Sequence, residues 1–299
     1  MNKQRRADMM LLFVAFSWGI SYFLLTVCFK ELGTFTLNAF RFCGAFLVAA
    51  IIFFPKLKGI SKETIKYSVI IGTVLFFVYM CTTFGTKYTT VSNAGFLCGM
   101  TVAFTPIFNL ILFKKKPDKK VLVAIFLCII GIALLTLKDD FTINLANLKG
   151  DLLCITCSIF YAIHLIFTEQ GVSNEKVDPL QLGILQLGVT GIWNLALAFI
   201  IEEPAFPKTM EVWNAILFLT IICTGMAFII QTIAQKDTTA SHVGVIFTLE
   251  PVFNTIFAIF LIDEILTFKS YVGGALMFFA IICMETGVID RFLKKGELR

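Results

Sequence analysis

Residues Lys236–Gly244 read KDTTASHVG, and Lys87–Gly95 read KYTTVSNAG. The Lys, both Thr, the Ser and the Gly coincide at one spacing, 149 positions apart. Each copy opens a long apolar run. A stretch of about 20 apolar residues crosses a bilayer as a helix. Ten such runs occur, near 8–30, 35–54, 66–87, 91–113, 119–137, 150–170, 179–201, 211–235, 241–262 and 267–289. The two phrases begin the fourth and ninth runs, so five crossings separate them. An odd number of crossings reverses direction, which puts the first copy outside and the second inside. That is the signature of an inverted-topology repeat, related by an axis in the membrane plane. The expected fold is therefore an all-α integral membrane protein of ten transmembrane helices in two inverted-topology five-helix repeats, residues 1–140 and 141–299.

Composition leaves little room for another class. Hydrophobic residues make up 58% of the 299 positions, charged residues 15%, and the mean hydropathy is +0.87. Soluble domains are closer to about 45–50% apolar and about 25% charged. A soluble fold of this make-up would expose large apolar patches. The apolar runs are continuous rather than alternating, which excludes a membrane β-barrel. The connections are too short to hold a soluble domain. The basic start, MNKQRRADMM, precedes an apolar run longer than a secretory signal and lacks a small-residue cleavage site. It reads as a retained first span.

The net charge of +5 does not imply nucleic acid, because the basic residues gather in short loops between apolar runs. With the N-terminus in the cytoplasm, 18 of the 25 Lys and Arg fall in cytoplasmic segments and 6 outside, with Arg41 inside a helix. This bias places both termini in the cytoplasm. Cys154 and Cys157 form a CxxC on a long apolar helix, where buried thiols are a better reading than a redox pair. No Cys/His cluster with zinc-ligand spacing is present, no phosphate-binding loop of the Walker type occurs, and no cofactor is expected.

Further echoes support the duplication. PIFN (Pro106–Asn109) returns as PVFN (Pro251–Asn254), now 145 positions apart. The difference from 149 is one helical turn, which keeps nearly the same face. Trp18 and Ser21 of the first run fall on Tyr161 and His164 of the sixth, and Arg41 falls near Gln186.

These stretches resemble the EamA family of the drug/metabolite transporter superfamily. The resemblance is carried by FSWGISY (Phe16–Tyr22), FRF (Phe40–Phe42) and SNAGFLCGM followed by Thr105–Pro106 in the first half. The second half adds LEPVF (Leu249–Phe253), the acidic pair Asp263–Glu264 and Gly273–Gly274. It covers almost the whole chain. It implies two inverted five-helix halves around a central cavity lined mainly by helices 1, 3, 4, 6, 8 and 9, and small organic solutes as cargo, often exported. LIDEIL (Leu261–Leu266) stands where the family more usually has Gly-Glu-Arg, which puts an arginine contact there in doubt.

Polar groups inside apolar helices are the candidate site. Glu250 lies near mid-membrane, where a carboxyl must be protonated, paired or wet. It reads as a substrate or proton-coupling group, with a hydrogen-bonded neutral acid as the plain alternative. Trp18, Ser21, Tyr22, Tyr161 and His164 offer aromatic bodies with polar tips suited to an organic solute, His164 also being a neutral packing group on the bland reading. Asn93 and Gln231 complete the substrate-binding candidates. Arg41, Gln186 and His242 are gating or structural polar groups, although Arg41 could also take a carboxylate. Pro106 and Pro251 are kink sites, expected to free the carbonyls of Val102 and Phe247.

The reading is a secondary transporter in the plasma (inner) membrane of a prokaryote. It moves a small molecule, an amino acid or organic cation among the candidates, by alternating access. Export is the favoured direction and proton coupling the favoured drive. The partners are the substrate and the lipid bilayer, with no nucleic acid, and the chain is a monomer or homodimer. A passive channel or lipid scramblase is the alternative. A membrane enzyme ranks last, because the two His are far apart and lack a ligand motif.

Overall fold

The structure, a computed structural model, describes residues 3–114, a few positions between 123 and 134, and residues 145–263 and 267–286. Its described residues are helical, with no strand among them. They form α1 (Lys3–Cys28), α2 (Thr34–Ile52), α3 (Lys62–Tyr88), α4 (Val91–Cys98) and α5 (Thr101–Phe113) in the first half. The second half has α6 (Leu148–Ser173), α7 (Pro179–Ile201), α8 (Met210–Phe218), α9 (Ala227–Gln235), α10 (Ala240–Ile246), α11 (Leu249–Ile262) and α12 (Phe268–Thr286). A π-helical stretch, Leu219–Met226, joins α8 to α9. Taking α4–α5, α8–α9 and α10–α11 as single crossings, eight helices are long and apolar enough to span a membrane. The tenth expected run is the helix α12, and the fifth, 119–137, lies outside the described residues but for a few positions.

Helix starts follow side-chain chemistry. Ser61, Thr90, Asp178, Thr209 and Thr239 each accept a backbone N–H of the turn that follows, satisfying donors that a helix N-terminus otherwise leaves unpaired. Longer-range contacts then tie loops to helices at the two ends of the bundle. At one end, Glu202 accepts the N–H groups of Phe35 (3.0 Å) and Thr36 (2.8 Å) at the start of α2. Nearby, Glu31 accepts from the Thr209 hydroxyl (2.6 Å), which holds its carboxyl below the usual range. At the other end, Gln181 donates to the Lys56 carbonyl (2.9 Å), and Glu169 accepts the Ala240 N–H (2.7 Å) at the start of α10. The phrase of α3–α4 sits at the first end, with Thr89 bonded to Asp151. The phrase of α9–α10 sits at the second, with Thr238 bonded to Gln4.

Both phrase-bearing spans are interrupted, and neither interruption is at its proline. Residues Gly99–Met100 separate α4 from α5, and Phe247–Thr248 separate α10 from α11. The chain tightens there to i→i+3 bonds, such as Ala103 N–H to the Met100 carbonyl (2.9 Å) and Thr248 N–H to the Val245 carbonyl (3.0 Å). Pro106 lies inside α5. Pro251 lies in the first turn of α11, where a missing N–H costs nothing. The carbonyl of Phe247, expected to be freed by Pro251, instead accepts the Glu250 N–H at 3.0 Å.

Large apolar side chains on the outside, such as Ile51, Phe199, Ile200 and Phe260, suit a lipid surround. Inside, spans approach closely at small residues. A Cβ at Gly150 would stand 2.5–2.7 Å from backbone atoms of Tyr88 and Thr89. Backbone cannot give way as a flexible side chain can, so Gly150→Ala is expected to destabilise by about 1–3 kcal/mol, the usual cost of overpacking. A lowered unfolding temperature in detergent checks this, and an unchanged one would refute the close α3–α6 crossing.

Candidate substrate cavity

A cavity of about 50 Å³ lies within the bundle. Its wall takes Trp18, Ser21, Tyr22 and Leu25 from α1, Arg41 from α2, Val78, Tyr79 and Thr82 from α3, and Cys98 from α4. It takes Cys157 and Tyr161 from α6, Phe228 from α9 and Glu250 from α11. Five of the thirteen wall residues are aromatic, with one fixed cation and one carboxyl among the rest.

Trp18 is the hub of the aromatic side. Its ring meets Phe247 at 4.9 Å, Phe228 at 5.2 Å and Tyr161 at 5.7 Å between centroids. Its indole N–H donates to the carbonyl of Cys223 (2.8 Å), and the Cys223 thiol donates to the carbonyl of Ser17 (3.1 Å). Both bonds anchor α1 to the π-helical stretch. A π turn leaves backbone carbonyls off the regular ladder, and such turns often mark functional sites.

Arg41 is 1% exposed. Its Nε donates to the Thr224 hydroxyl of the π stretch (3.3 Å), and the guanidinium lies 4.8 Å from the centre of the Tyr79 ring. Among the described residues, no carboxylate is within ion-pair distance of it. Among the described residues its contacts are one hydroxyl and the Tyr79 and Phe42 rings, which leaves most of its five donors for a cavity occupant or water. Across the cavity wall, the Glu250 carboxyl accepts the Tyr22 hydroxyl at 2.8 Å.

Behind the wall runs a polar layer. Tyr161 donates to Gln231 (3.0 Å), Gln231 to Gln235 (3.0 Å), and Gln235 to the Leu165 carbonyl (3.1 Å). The Gln186 amide donates to Thr232 (2.9 Å), so its oxygen is left to accept from His164 Nε2 (2.9 Å). This assigns the neutral His164 tautomer with Nδ1 as acceptor, and Nδ1 is buried without a partner among the described residues.

The sequence candidates therefore divide. Trp18, Ser21, Tyr22, Tyr161 and Glu250 share the cavity wall, and Arg41 lies on the same wall. His164, Gln231 and Gln186 lie one layer behind. Asn93 and His242 lie away from the cavity: the Asn93 N–H is capped by Thr90, and His242 Nε2 stands 2.9 Å from Asp8. The reading missed Tyr79, Thr82, Cys98 and Cys157. Tyr79, Thr82 and Thr86 recur at helical spacing on one face of α3, a polar stripe that was visible in the third run.

A bundle of apolar helices around a mixed polar and aromatic cavity defines a multi-pass membrane protein built to hold a small molecule. The EamA-like transporter family model matches residues 5–137 and again 148–286, and the chain belongs to that family. An uncharacterised transporter of Archaeoglobus fulgidus is 29% identical over 96% of this chain and 88% of its own. The uncharacterised transporter YyaM of Bacillus subtilis is 23% identical over 84% and 83%. A solved structure shares the fold with a TM-score of 0.74 at 15% identity, covering 96% of this chain and 98% of its own. The family and its relatives' names speak for a membrane transporter with a small-molecule substrate, rather than an enzyme.

Proposed function

We propose that this protein is a secondary carrier for a small zwitterionic metabolite, of amino-acid type. The observation that carries this is one cavity holding both the Glu250 carboxyl and an Arg41 guanidinium that has no carboxylate partner among the described residues. Arg41 takes the substrate carboxylate, whose fork geometry it matches. Glu250 takes the ammonium, and Trp18, Tyr79, Tyr161 and Phe228 take the side chain. A simple organic cation would leave Arg41 with nothing to answer it, which disfavours that alternative.

The carrier has ten helices in two inverted halves, residues 1–140 and 141–299, and works by alternating access in the plasma membrane of a prokaryote with both termini in the cytoplasm. Three features support the inverted halves: the two phrases at opposite ends, capped by Thr90 and Thr239, and helix breaks 148 positions apart. Export is the favoured direction, with Glu250 the candidate proton carrier when substrate is absent.

A binding panel on purified protein tests the substrate class. Each amino acid is compared with its amide, which lacks the carboxylate, and with its deaminated acid. A ligand at about 100 times its Kd stabilises by about 2.7 kcal/mol, a shift of a few degrees in unfolding temperature. The zwitterion alone is expected to give that shift; equal shifts from amide and zwitterion would reject the Arg41 assignment. Counterflow in liposomes then separates a carrier, which shows saturable exchange, from a channel or scramblase, which does not.

A further inference from the structure

The equivalence of the two halves extends to a pair of contacts outside the cavity. Asp8 of α1 and Asp151 of α6 are 143 positions apart, the same offset as Trp18 to Tyr161 and Ser21 to His164. Each aspartate reaches across to the phrase at the start of a broken span. At one end of the bundle, Asp8 Oδ1 lies 2.9 Å from His242 Nε2 and accepts from Gln4 (2.8 Å), which also bonds Thr238 (3.1 Å). At the other end, Asp151 Oδ1 accepts from the Thr89 hydroxyl (2.6 Å), with the Asn93 side chain close by. Thr89 and Thr238, and likewise Asn93 and His242, are 149 positions apart, the offset of the two phrases. Asp8 thus meets His242 directly and Thr238 through Gln4, while Asp151 meets Thr89 directly with Asn93 close by, so the same pair of phrase positions is engaged at each end.

From this pairing we infer that Asp8–His242 and Asp151–Thr89–Asn93 are equivalent locks, each closing one mouth of the cavity. Both contacts are made in the same structure, and transport requires them to open in turn. Each joins the first helix of one half to the broken helix of the other, α1 to α10 and α6 to α4. A contact placed so cannot survive the separation of those two elements. The interruptions at Gly99–Met100 and Phe247–Thr248 lie just beyond the locks and let the phrase-bearing segments α4 and α10 move without the rest of their spans. The role of these contacts rests on the carrier reading, since a protein without alternating access has no use for two matched closures.

The test reads the cavity from each side. Cys98 and Cys157 line it and are free thiols, so they serve as native reporters for a membrane-impermeant thiosulfonate, quantified by mass spectrometry of the labelled peptides. Membrane vesicles of both orientations are used. Asp8→Asn is expected to raise labelling about tenfold from the Asp8 face alone, and Asp151→Asn from the Asp151 face alone, as a coupling of ordinary size would do. Should an aspartate variant fold poorly, Gln4→Met and Thr89→Val remove a donor from each lock and are scored the same way. Opening on the same face by both variants, or on neither, overturns the locks. Ready labelling of the wild type from one face overturns the lock assigned to that face, whereas saturable counterflow judges the carrier reading separately.

Discussion

Arg41→Met is expected to fold at least as stably as the parent and to lose about 100-fold in substrate affinity. The two effects point in opposite directions for one reason. Arg41 is buried, with Thr224 and the Tyr79 ring as its partners and no carboxylate paired to it among the described residues. Placing a cation there costs several kcal/mol of desolvation, and an apolar side chain of similar length removes that cost. A purely structural arginine would behave in the reverse manner, because breaking its contacts would destabilise the fold and leave binding to follow. The loss of binding is set by the substrate carboxylate, which would enter the cavity with no countercharge. Truncating one partner of a buried, hydrogen-bonded charge pair costs about 2–5 kcal/mol, which brackets that factor. Arg41→Lys keeps the charge but not the planar fork, and an intermediate loss is expected. Thermal unfolding with and without the amino acid identified by the panel checks both halves. A less stable Arg41→Met that still binds would remove Arg41 from the site.

Much of this architecture is written in runs of residues, and some of it is not. Spans are legible because a bilayer demands about 20 apolar residues whatever the neighbours are. The phrase at Lys87 and Lys236 reveals opposite ends by counting alone. Breaks are less legible. The prolines drew attention to the right spans, but the chain tightens upstream of them at Gly99–Met100 and Phe247–Thr248, where i→i+3 bonding replaces the α pattern. The π-helical stretch has no sequence mark at all, since Thr220, Thr224 and Gly225 are unremarkable in a membrane helix. Yet it holds both Trp18 and Arg41.

The cavity shows the same division. Polar residues stand out against an apolar background, which is why Trp18, Tyr22, Tyr161 and Glu250 were singled out. How far each helix is rotated is a packing outcome, and a rotation of one residue separates a wall position from the layer behind it. His164 and Gln231 are one turn or less from wall-facing neighbours, yet both turn to other side chains. Thiols such as Cys98 and Cys157 look like ordinary membrane residues until the fold lines a cavity with them.

Glu250→Gln is expected to leave the fold intact and to abolish discrimination between an amino acid and its deaminated analogue. The substitution is nearly isosteric, and the amide oxygen can still accept the Tyr22 hydroxyl that the carboxyl accepts at 2.8 Å. What disappears is the negative charge and the proton that a carboxyl can carry. The parent should favour the zwitterion by about 100-fold, because the analogue lacks the ammonium and leaves Glu250 buried without its countercharge. The variant has no charge to leave unanswered, so the ratio should fall toward one. Tyr22→Phe removes a single hydrogen bond to the same carboxyl and should cost about three- to tenfold in affinity, from about 0.5–1.5 kcal/mol. Its zwitterion preference should remain, because the charge remains. Competition of each ligand against counterflow of the labelled amino acid measures the ratio directly. A carboxyl that merely packs α11 against α1 would change stability and leave the ratio alone. A ratio unmoved by Glu250→Gln, in a protein that still exchanges substrate, would assign the ammonium to another part of the wall.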